Sequence, residues 1–267
     1  MLESMYDNIE RMQVIQMEDL KNRKEAYTAL FNALGPEHYA TLEAEYYYAM
    51  ALSVDGKNED SLSHLESAYQ GFQKLVDIAY YNDILYKCTY DYALSLYHNG
   101  EAEKALIPLL DVISDTLDTN LEDDIIIDCN FLLVDCLEAC GEIQRAQDAI
   151  MLLYDTLMDT HEPGEYNVIQ AVIRYAMLLD KSGNKKKALS LLSKHRKMCE
   201  YWDDTVGQML TTIYRAYLSK GTPTYDKEMA KARKLIQNLG QEFEDFPAEG
   251  FQKMLEIIES GLAPNLE

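Results

Sequence analysis

Five glycines set the register of a pattern of apolar and polar positions that repeats along the chain. They are Gly56, Gly100, Gly141, Gly183 and Gly221, separated by 44, 41, 42 and 38 residues. The positions 8, 7 and 4 residues before each glycine are mostly filled by a large, a small and a large apolar residue. Together with the position 11 residues before the glycine, these offsets define one face of an α-helix. The pattern therefore predicts a helix, called helix A, that ends at each glycine.

A second helix is predicted to follow the glycine. The fifth residue after the first four glycines is small: Ser61, Ala105, Ala146 and Ala188. The ninth is large and apolar: Leu65, Leu109, Ile150 and Leu192. A glycine between two helices is typical of a left-handed helix end, which needs no Cβ. Each repeat is thus predicted to consist of helix A, a glycine turn and helix B, and such hairpins bury their apolar faces only by stacking on their neighbours.

Two places depart from the regular pattern. Gly221 is followed by the sequence Thr-Pro-Thr-Tyr-Asp, which predicts a longer turn before a helix at about 227–239. Pro108 falls inside a predicted B helix and is expected to kink it, because proline removes a backbone donor and clashes with the preceding turn.

The pattern extends beyond the glycine-marked repeats at both ends. Residues 22–34 are predicted to form one more B helix, preceded by an amphipathic stretch through Met12, Ile15 and Leu20. Residues 250–260 are predicted to form a capping helix with Phe251, Met254, Leu255 and Ile258 on its apolar side. We expect a single domain over 1–267: an N-terminal hairpin at 1–34, regular repeats at 35–240, and the capping helix and tail at 241–267.

These elements define the expected fold class. The chain has only 6 Pro and 12 Gly in 267 residues, which favours long helices over many short strands. We predict an all-α, right-handed superhelical solenoid of about five to six stacked hairpins, closed by a C-terminal capping helix.

One stretch resembles a known repeat family. Residues 34–42 read LGPEHYATL. They are similar to the linker LGPxHPxT between tetratricopeptide repeats of the kinesin-light-chain type, and the period near 42 residues resembles the same class. The resemblance implies peptide binding in a concave surface lined by A helices, at the positions 13, 10, 6 and 3 residues before each glycine.

The residues at these positions define the predicted site. Kinesin-light-chain-like repeats commonly place Asn there to clamp a ligand backbone, whereas this chain has mostly Tyr, Met, Leu or Asp, so that clamp does not carry over. Aromatic side chains beside acidic ones on this surface favour a ligand that is a basic segment with apolar anchor residues. The open alternative is that the tyrosines pack between hairpins and the acids only keep the protein in solution. The predicted peptide- or protein-binding residues are Tyr46, Met50, Tyr90, Tyr97, Asp128, Phe131, Asp135, Glu138, Met177 and Asp180.

The charge of the chain narrows the class of partner. With 46 acidic and 24 basic residues the formal net charge is −22, which disfavours nucleic acid and anionic membrane surfaces and favours a basic partner. The charge is uneven: residues 88–180 carry a net charge of −16, and residues 181–234 carry +8. This contrast predicts head-to-tail self-association as a further option.

Other features point away from catalysis and cofactors. Cys129, Cys136 and Cys140 share one helix face, but their spacing lacks a C-x-x-C pair, so small buried residues are expected there rather than a metal site. No catalytic or phosphate-binding motif is present, and Trp202 is expected in the core. Five cysteines and a polar, acidic first segment predict reduced thiols and a cytoplasmic location.

Together these features predict a non-enzymatic scaffold or adaptor that binds a protein or peptide and has no cofactor. The alternative is a peptide-sensing regulatory protein that acts through a conformational change of the repeat array, and an enzyme with an unrecognised site is the remaining option.

Overall fold

The computed structural model describes residues 20–75, 82–115, 124–243 and 245–264, and every regular element in these ranges is an α-helix. The helices, numbered here in chain order, are α1 Leu20–Leu34, α2 Tyr39–Val54, α3 Asn58–Phe72, α4 Asn82–His98, α5 Ala102–Asp115, α6 Asp124–Ala139, α7 Ile143–Thr160, α8 Tyr166–Lys181, α9 Lys185–Tyr201, α10 Thr205–Leu218, α11 Tyr225–Glu242 and α12 Ala248–Ser260. The predicted A helices correspond to α2, α4, α6, α8 and α10. The amphipathic stretch through Met12 and Ile15 lies outside the described residues.

The glycine turns are confirmed. All five glycines have a left-handed backbone, with φ between +76° and +81°. At Gly100 the amide donates to the Tyr97 carbonyl, and the Glu101 amide donates to the Leu96 carbonyl, both at 2.9 Å. This pair of hydrogen bonds is the Schellman motif, which satisfies carbonyl groups left over at a helix end. The motif therefore ends helix A and reverses the chain into helix B.

The small residues lie where the helices of a hairpin cross. Ala49, Ala93 and Ala176 of the A helices are fully buried, and so are Ala105 and Ala188 of the B helices. The larger apolar positions on either side are buried as well, and each buried leucine stabilises the fold by roughly 1.5–3 kcal/mol. The alternation of large and small residues thus sets the close packing within each hairpin.

The irregular turn at Gly221 is longer than the others, as predicted. The amide of Thr222 donates to the Ser219 carbonyl, that of Tyr225 donates to the Thr222 carbonyl, and α11 begins only at Tyr225. Pro108 is buried within α5, which runs from Ala102 to Asp115. The kink expected at Pro108 stays a prediction.

The expectation that Trp202 belongs to the core is wrong. Its side chain is 55% exposed, and the neighbouring Tyr201 is 85% exposed. The cause is the end of α9: Tyr201 is its last residue, and Asp203 turns the chain with a left-handed φ of 53°. Cys199, which is fully buried, takes the inward position instead.

The chain divides into two compact units, residues 1–141 and 142–267, and each is described by itself. In unit 1, each helix from α1 to α6 packs on the next in sequence, and the A helices α4 and α6 also pack together. In unit 2, each helix from α7 to α12 does the same, and α8 packs on α10. Contact between successive A helices is what stacked hairpins require. The single-domain organisation stays a prediction.

The capping helix is confirmed as α12, which buries Leu255 and Ile258. The tail after it is held in unit 2, where the Tyr214 hydroxyl donates to the Pro264 carbonyl at 2.9 Å. Within the described ranges, none of the helices has the length and apolar character needed to cross a membrane.

Candidate functional site

The predicted binding residues lie on the A helices of both units. Unit 1 holds eight of them: Tyr46 and Met50 on α2, Tyr90 and Tyr97 on α4, and Asp128, Phe131, Asp135 and Glu138 on α6. Unit 2 holds Met177 and Asp180 on α8. Within unit 1, α4 packs against α6, so the helix that carries Tyr90 and Tyr97 lies beside the helix that carries the four predicted residues of α6.

The eight side chains of unit 1 differ in accessibility. The rings of Tyr46 and Phe131 are each only 4% exposed, so they contribute mainly to packing. The half-buried side chains are Met50, Tyr90, Tyr97, Asp135 and Glu138. Asp128 is exposed. A ligand at this surface would therefore meet aromatic edges, a methionine and carboxylates.

A hydrogen bond between α2 and α4 involves a residue that the sequence did not single out. The Tyr46 hydroxyl donates to Oδ2 of Asp91 over 2.6 Å. A hydrogen bond to a charged acceptor contributes roughly 1.5–3 kcal/mol, about twice as much as a neutral one. Asp91 lies nine residues before Gly100, next to the predicted surface position Tyr90. The bond ties the A helices of two successive hairpins and holds the carboxylate in place.

Asp91 also lines a cleft of about 180 Å³ in unit 1. The lining residues are Met50, Ser53, Asn58, Leu65, Asp91, Leu94, Ser95, His98 and Asn99. Three of them, Met50, Ser53 and Leu94, occupy predicted surface positions, so the cleft adjoins that surface. Its wall combines one carboxylate with serine, asparagine and histidine side chains and three apolar ones. Pockets for drug-sized ligands measure about 300–1,000 Å³, so this cleft is too small for a typical cofactor.

Two predicted acids lie at the ends of their helices. Glu138 is in the last turn of α6, which contains no basic residue, and Asp180 is in the last turn of α8. The negative end of the helix dipole is there, so an acid is unfavourable by roughly 0.3–1 kcal/mol. Helix stability therefore gives no reason for these two acids.

A second carboxylate in unit 1, Glu45, is buried in a closed network. It accepts hydrogen bonds from the Tyr27 hydroxyl at 3.3 Å and from the Ser67 hydroxyl at 3.2 Å, and it lies 2.9 Å from Nδ1 of His64. Burial, with the nearby Glu45, raises the pKa of Tyr27 to about 12. The network joins α1 to α2 and α3, and its three partners explain why a carboxylate occupies a core-facing position.

In unit 2, a predicted surface position of α10 is used for packing. Arg215 pairs with Glu228 of α11 at 2.9 Å, and Glu228 also pairs with Arg196 of α9 at 3.0 Å. Burial raises the pKa of Glu228, but the hydrogen bonds and charges of the two arginines outweigh burial and lower it overall. This cluster joins three helices, so the Arg215 side chain already has a structural role.

The buried thiols are poor nucleophiles and poor candidates for metal ligands. Burial, with the neighbouring Asp135, raises the pKa of Cys136 to about 12, and burial together with Asp204 does the same for Cys199. The thiolate is the form that reacts and binds metal, so little of it is present at neutral pH. Among the residues described, no three His, Cys, Asp or Glu side chains are grouped so as to hold a metal ion.

Hairpins with glycine turns, stacked through their A helices, define a helical repeat protein. A kinesin-light-chain-like protein from Podosopora anserina with nearly identical TPR-like repeats matches with a TM-score of 0.62 at 17% identity, over 76% of this chain and 96% of that one. Apo RapI matches with a TM-score of 0.65 at 14% identity, over 92% of this chain and 66% of RapI. A Rap protein complexed with Competence and Sporulation Factor matches with a TM-score of 0.52 at 11% identity, over 97% and 75%.

No protein-family model matches the sequence, and no curated protein matches it either. At these low identities the structural likeness shows the fold alone. The chain has the all-helical fold of tetratricopeptide-like repeat proteins.

Proposed function

We propose that this chain is a non-enzymatic protein- or peptide-binding scaffold. The A-helix surface of unit 1 receives a basic segment that carries apolar anchor residues. The observation that carries the proposal is the placement of Asp128, Asp135 and Glu138 along α6, at spacings that put all three on one side of the helix.

The partner's chemistry follows from the side chains on this surface. Lys or Arg residues would pair with the acids, each exposed pair contributing about 0.2–1 kcal/mol. The net charge of −22 would also speed the approach of a positive partner at low ionic strength. Apolar anchors would contact Met50 and the half-buried rings of Tyr90 and Tyr97, since aromatic and methionine side chains are favoured at the centre of interfaces.

The structural likenesses support binding as the function. One of the Rap proteins that share this fold has been solved in complex with Competence and Sporulation Factor. The same likeness favours a second candidate, a peptide-sensing regulator in which the ligand changes the conformation of the repeat array. Small-angle scattering with and without ligand separates the two candidates, because a scaffold keeps its scattering profile and a regulator does not.

Selection from a library of random twelve-residue peptides tests the proposal. The immobilised full chain is expected to enrich peptides that combine Lys or Arg with aromatic or aliphatic residues. An acid-reversal variant, Asp128→Lys with Asp135→Lys and Glu138→Lys, should lose these peptides in fluorescence anisotropy titrations. Circular dichroism checks that the variant keeps its helices.

The matched control reverses three exposed acids on B helices, Glu59→Lys, Glu103→Lys and Asp159→Lys, and changes the net charge equally. It should keep the affinity for the selected peptides within a few fold. Equal loss in both variants would mean that only net charge matters, and the absence of any enriched peptide would overturn the proposed function.

A further inference from the structure

The outer side of α9 in unit 2 carries a row of lysines that ends in two aromatic residues. A helix turns by about 100° per residue, so the row covers an arc of about 100°. Among the described residues, the ion pairs of α9 use Arg196 and Glu200, and none of them uses a lysine of the row. The row consists of Lys186, Lys187, Lys194, Lys197 and Tyr201, all exposed, and Trp202 follows it.

The aromatic pair at the end of the row is held in place by the backbone. The rings of Tyr201 and Trp202 meet edge to face, with their centroids 6.4 Å apart. The Asp204 amide donates to the Cys199 carbonyl over 2.9 Å, and Asp203 adopts the left-handed conformation that glycine has in the five regular turns. The turn therefore keeps two large aromatic side chains in the solvent, and these residue types often dominate the binding energy of interfaces.

The outer side of α7, also in unit 2, has the complementary composition. Met151 is 41% exposed and Leu152 is 62% exposed, and three exposed aspartates lie beside them. Within the described ranges, none of these aspartates forms an ion pair, with a lysine of α9 or with any other residue. The face covers an arc of about 100° and consists of Asp148, Met151, Leu152, Asp155 and Asp159.

We propose that this face of α7 binds the lysine row of α9 in a second copy of the chain, with the two helices antiparallel. Both helices advance seven residues, or about 10 Å, from an apolar contact to the second of two ion pairs, so all three contacts form in one register. In a parallel arrangement the aspartates would point away from the lysines. The three contacts are Leu152 with Tyr201, Asp155 with Lys197, and Asp159 with Lys194.

A two-fold arrangement forms this contact twice, because both helices belong to unit 2. The α7 helix of each copy then binds α9 of the other copy, which is the isologous geometry of most homodimers. Apolar side chains meet beside ion pairs, as in interfaces that have an apolar core and a polar rim. The contact uses no residue of the proposed binding site in unit 1, so it does not depend on the proposed function.

Other occupants match less of this surface. An acidic segment of a different protein would pair only with α9, and a basic segment would pair only with α7. Nucleic acid and anionic membranes would be repelled by the aspartates of α7 and by the net charge of −22. A second copy pairs both faces at once.

Charge exchange in the full chain tests the contact. An α9 variant reverses two lysines, an α7 variant reverses two aspartates, and a control variant reverses two exposed lysines outside the contact. Light scattering at low ionic strength measures the average mass of each variant, of the wild type and of an equimolar mixture of the α9 and α7 variants. Circular dichroism checks that each variant keeps its helices. The substitutions are Lys194→Glu with Lys197→Glu in α9, Asp155→Lys with Asp159→Lys in α7, and Lys24→Glu with Lys253→Glu in the control.

We expect the average mass of the wild type to rise from 30.6 kDa towards twice that value as the concentration increases. The α9 and α7 variants should each self-associate about tenfold more weakly or worse, because attractive pairs become repulsive at both contacts. Their mixture should regain association, because a heterodimer again places opposite charges together at both contacts. The control should associate like the wild type.

Three results would overturn the proposal. The first is a wild-type mass that stays at 30.6 kDa at every concentration, which would rule out a second copy as the occupant. The second is a mixture that associates no better than the two variants do separately. The third is a control that loses association as strongly as the α9 variant, because net charge alone would then set the effect.

Discussion

His195 shows how a single buried side chain is held in one protonation state. Its Nε2 lies 2.9 Å from the Pro163 carbonyl, which can only accept, so this nitrogen carries the proton. Its Nδ1 lies 3.1 Å from the Tyr154 hydroxyl and accepts from it. Burial lowers the pKa of His195, and the hydrogen bond to Pro163 offsets only part of that effect. The neutral ring thereby joins α7, α9 and the segment before α8.

This arrangement predicts a loss of stability in mild acid. Since the pKa of His195 is lower in the folded chain, the unfolded chain takes up the proton first, at about pH 6.5. The free energy of unfolding should thus fall as the pH drops from about 6.5 towards the folded-state pKa. Glutamine at position 195 keeps a donor and an acceptor but does not titrate. The free energy of unfolding of the His195→Gln variant, relative to that of the wild type, should therefore rise as the pH is lowered from 7.5 to 5.5. Thermal melts followed by circular dichroism measure the difference, and parallel curves would refute the prediction.

At the scale of the helical elements, the glycine turns are the feature that the pattern predicts most completely. A glycine is required because φ near +78° is strained for any residue with a Cβ. At Gly100 a Cβ would meet no atom within 4 Å, so backbone conformation is the only cost of adding one. Gly250, inside α12, has the same open space but no positive φ. The two positions form a matched pair.

We expect Gly100→Ala to lower the free energy of unfolding by about 1–2 kcal/mol, because alanine resists the left-handed conformation. Gly250→Ala should be neutral or stabilise by up to about 1 kcal/mol, because it reduces the entropy of the unfolded chain within a helix. Urea titrations of the two variants and the wild type measure both effects. A similar loss in both variants would contradict the assignment of the cost to the positive φ of Gly100.

The elements were predictable from sequence because their signals are local. Helices α1 and α12 begin within two residues of their predicted starts, at Leu20 and Ala248. The bond between Tyr46 and Asp91 was not predictable, because it joins residues 45 positions apart whose contact depends on how two hairpins stack. Glu45 shows the same limit: a periodic pattern places it on the core face but does not reveal the three partners that make its burial acceptable.

At the scale of the whole molecule, each of the two units is built from contacts between neighbouring helices. Such arrays have stabilities that are roughly sums over repeats and their nearest-neighbour interfaces. Specific binding must then come from side chains that remain accessible after the hairpins stack. In unit 1 Asp128 is exposed and Asp135 and Glu138 are half-buried. In unit 2 the Arg215 side chain is largely buried in its pair with Glu228. The expected site therefore depends on which polar side chains the packing leaves accessible.

The uneven charge predicts that copies associate head to tail at low salt. Residues 88–180 carry −16 and residues 181–234 carry +8, so the oppositely charged segments of two copies attract over roughly the 10 Å screening length at 0.1 M salt. Light scattering should show a larger average mass at about 20 mM than at about 500 mM sodium chloride, because the added salt shortens that length. The same mass at both salt concentrations would exclude electrostatic self-association.

The exposure of Trp202 has a consequence for spectroscopy. It is the only tryptophan in the chain, and its indole is 55% exposed in the folded state. Its emission should therefore already resemble that of indole in water and shift little when the protein unfolds. The same exposure makes it a local optical probe, because a molecule that covers the end of α9 would move the emission to shorter wavelength.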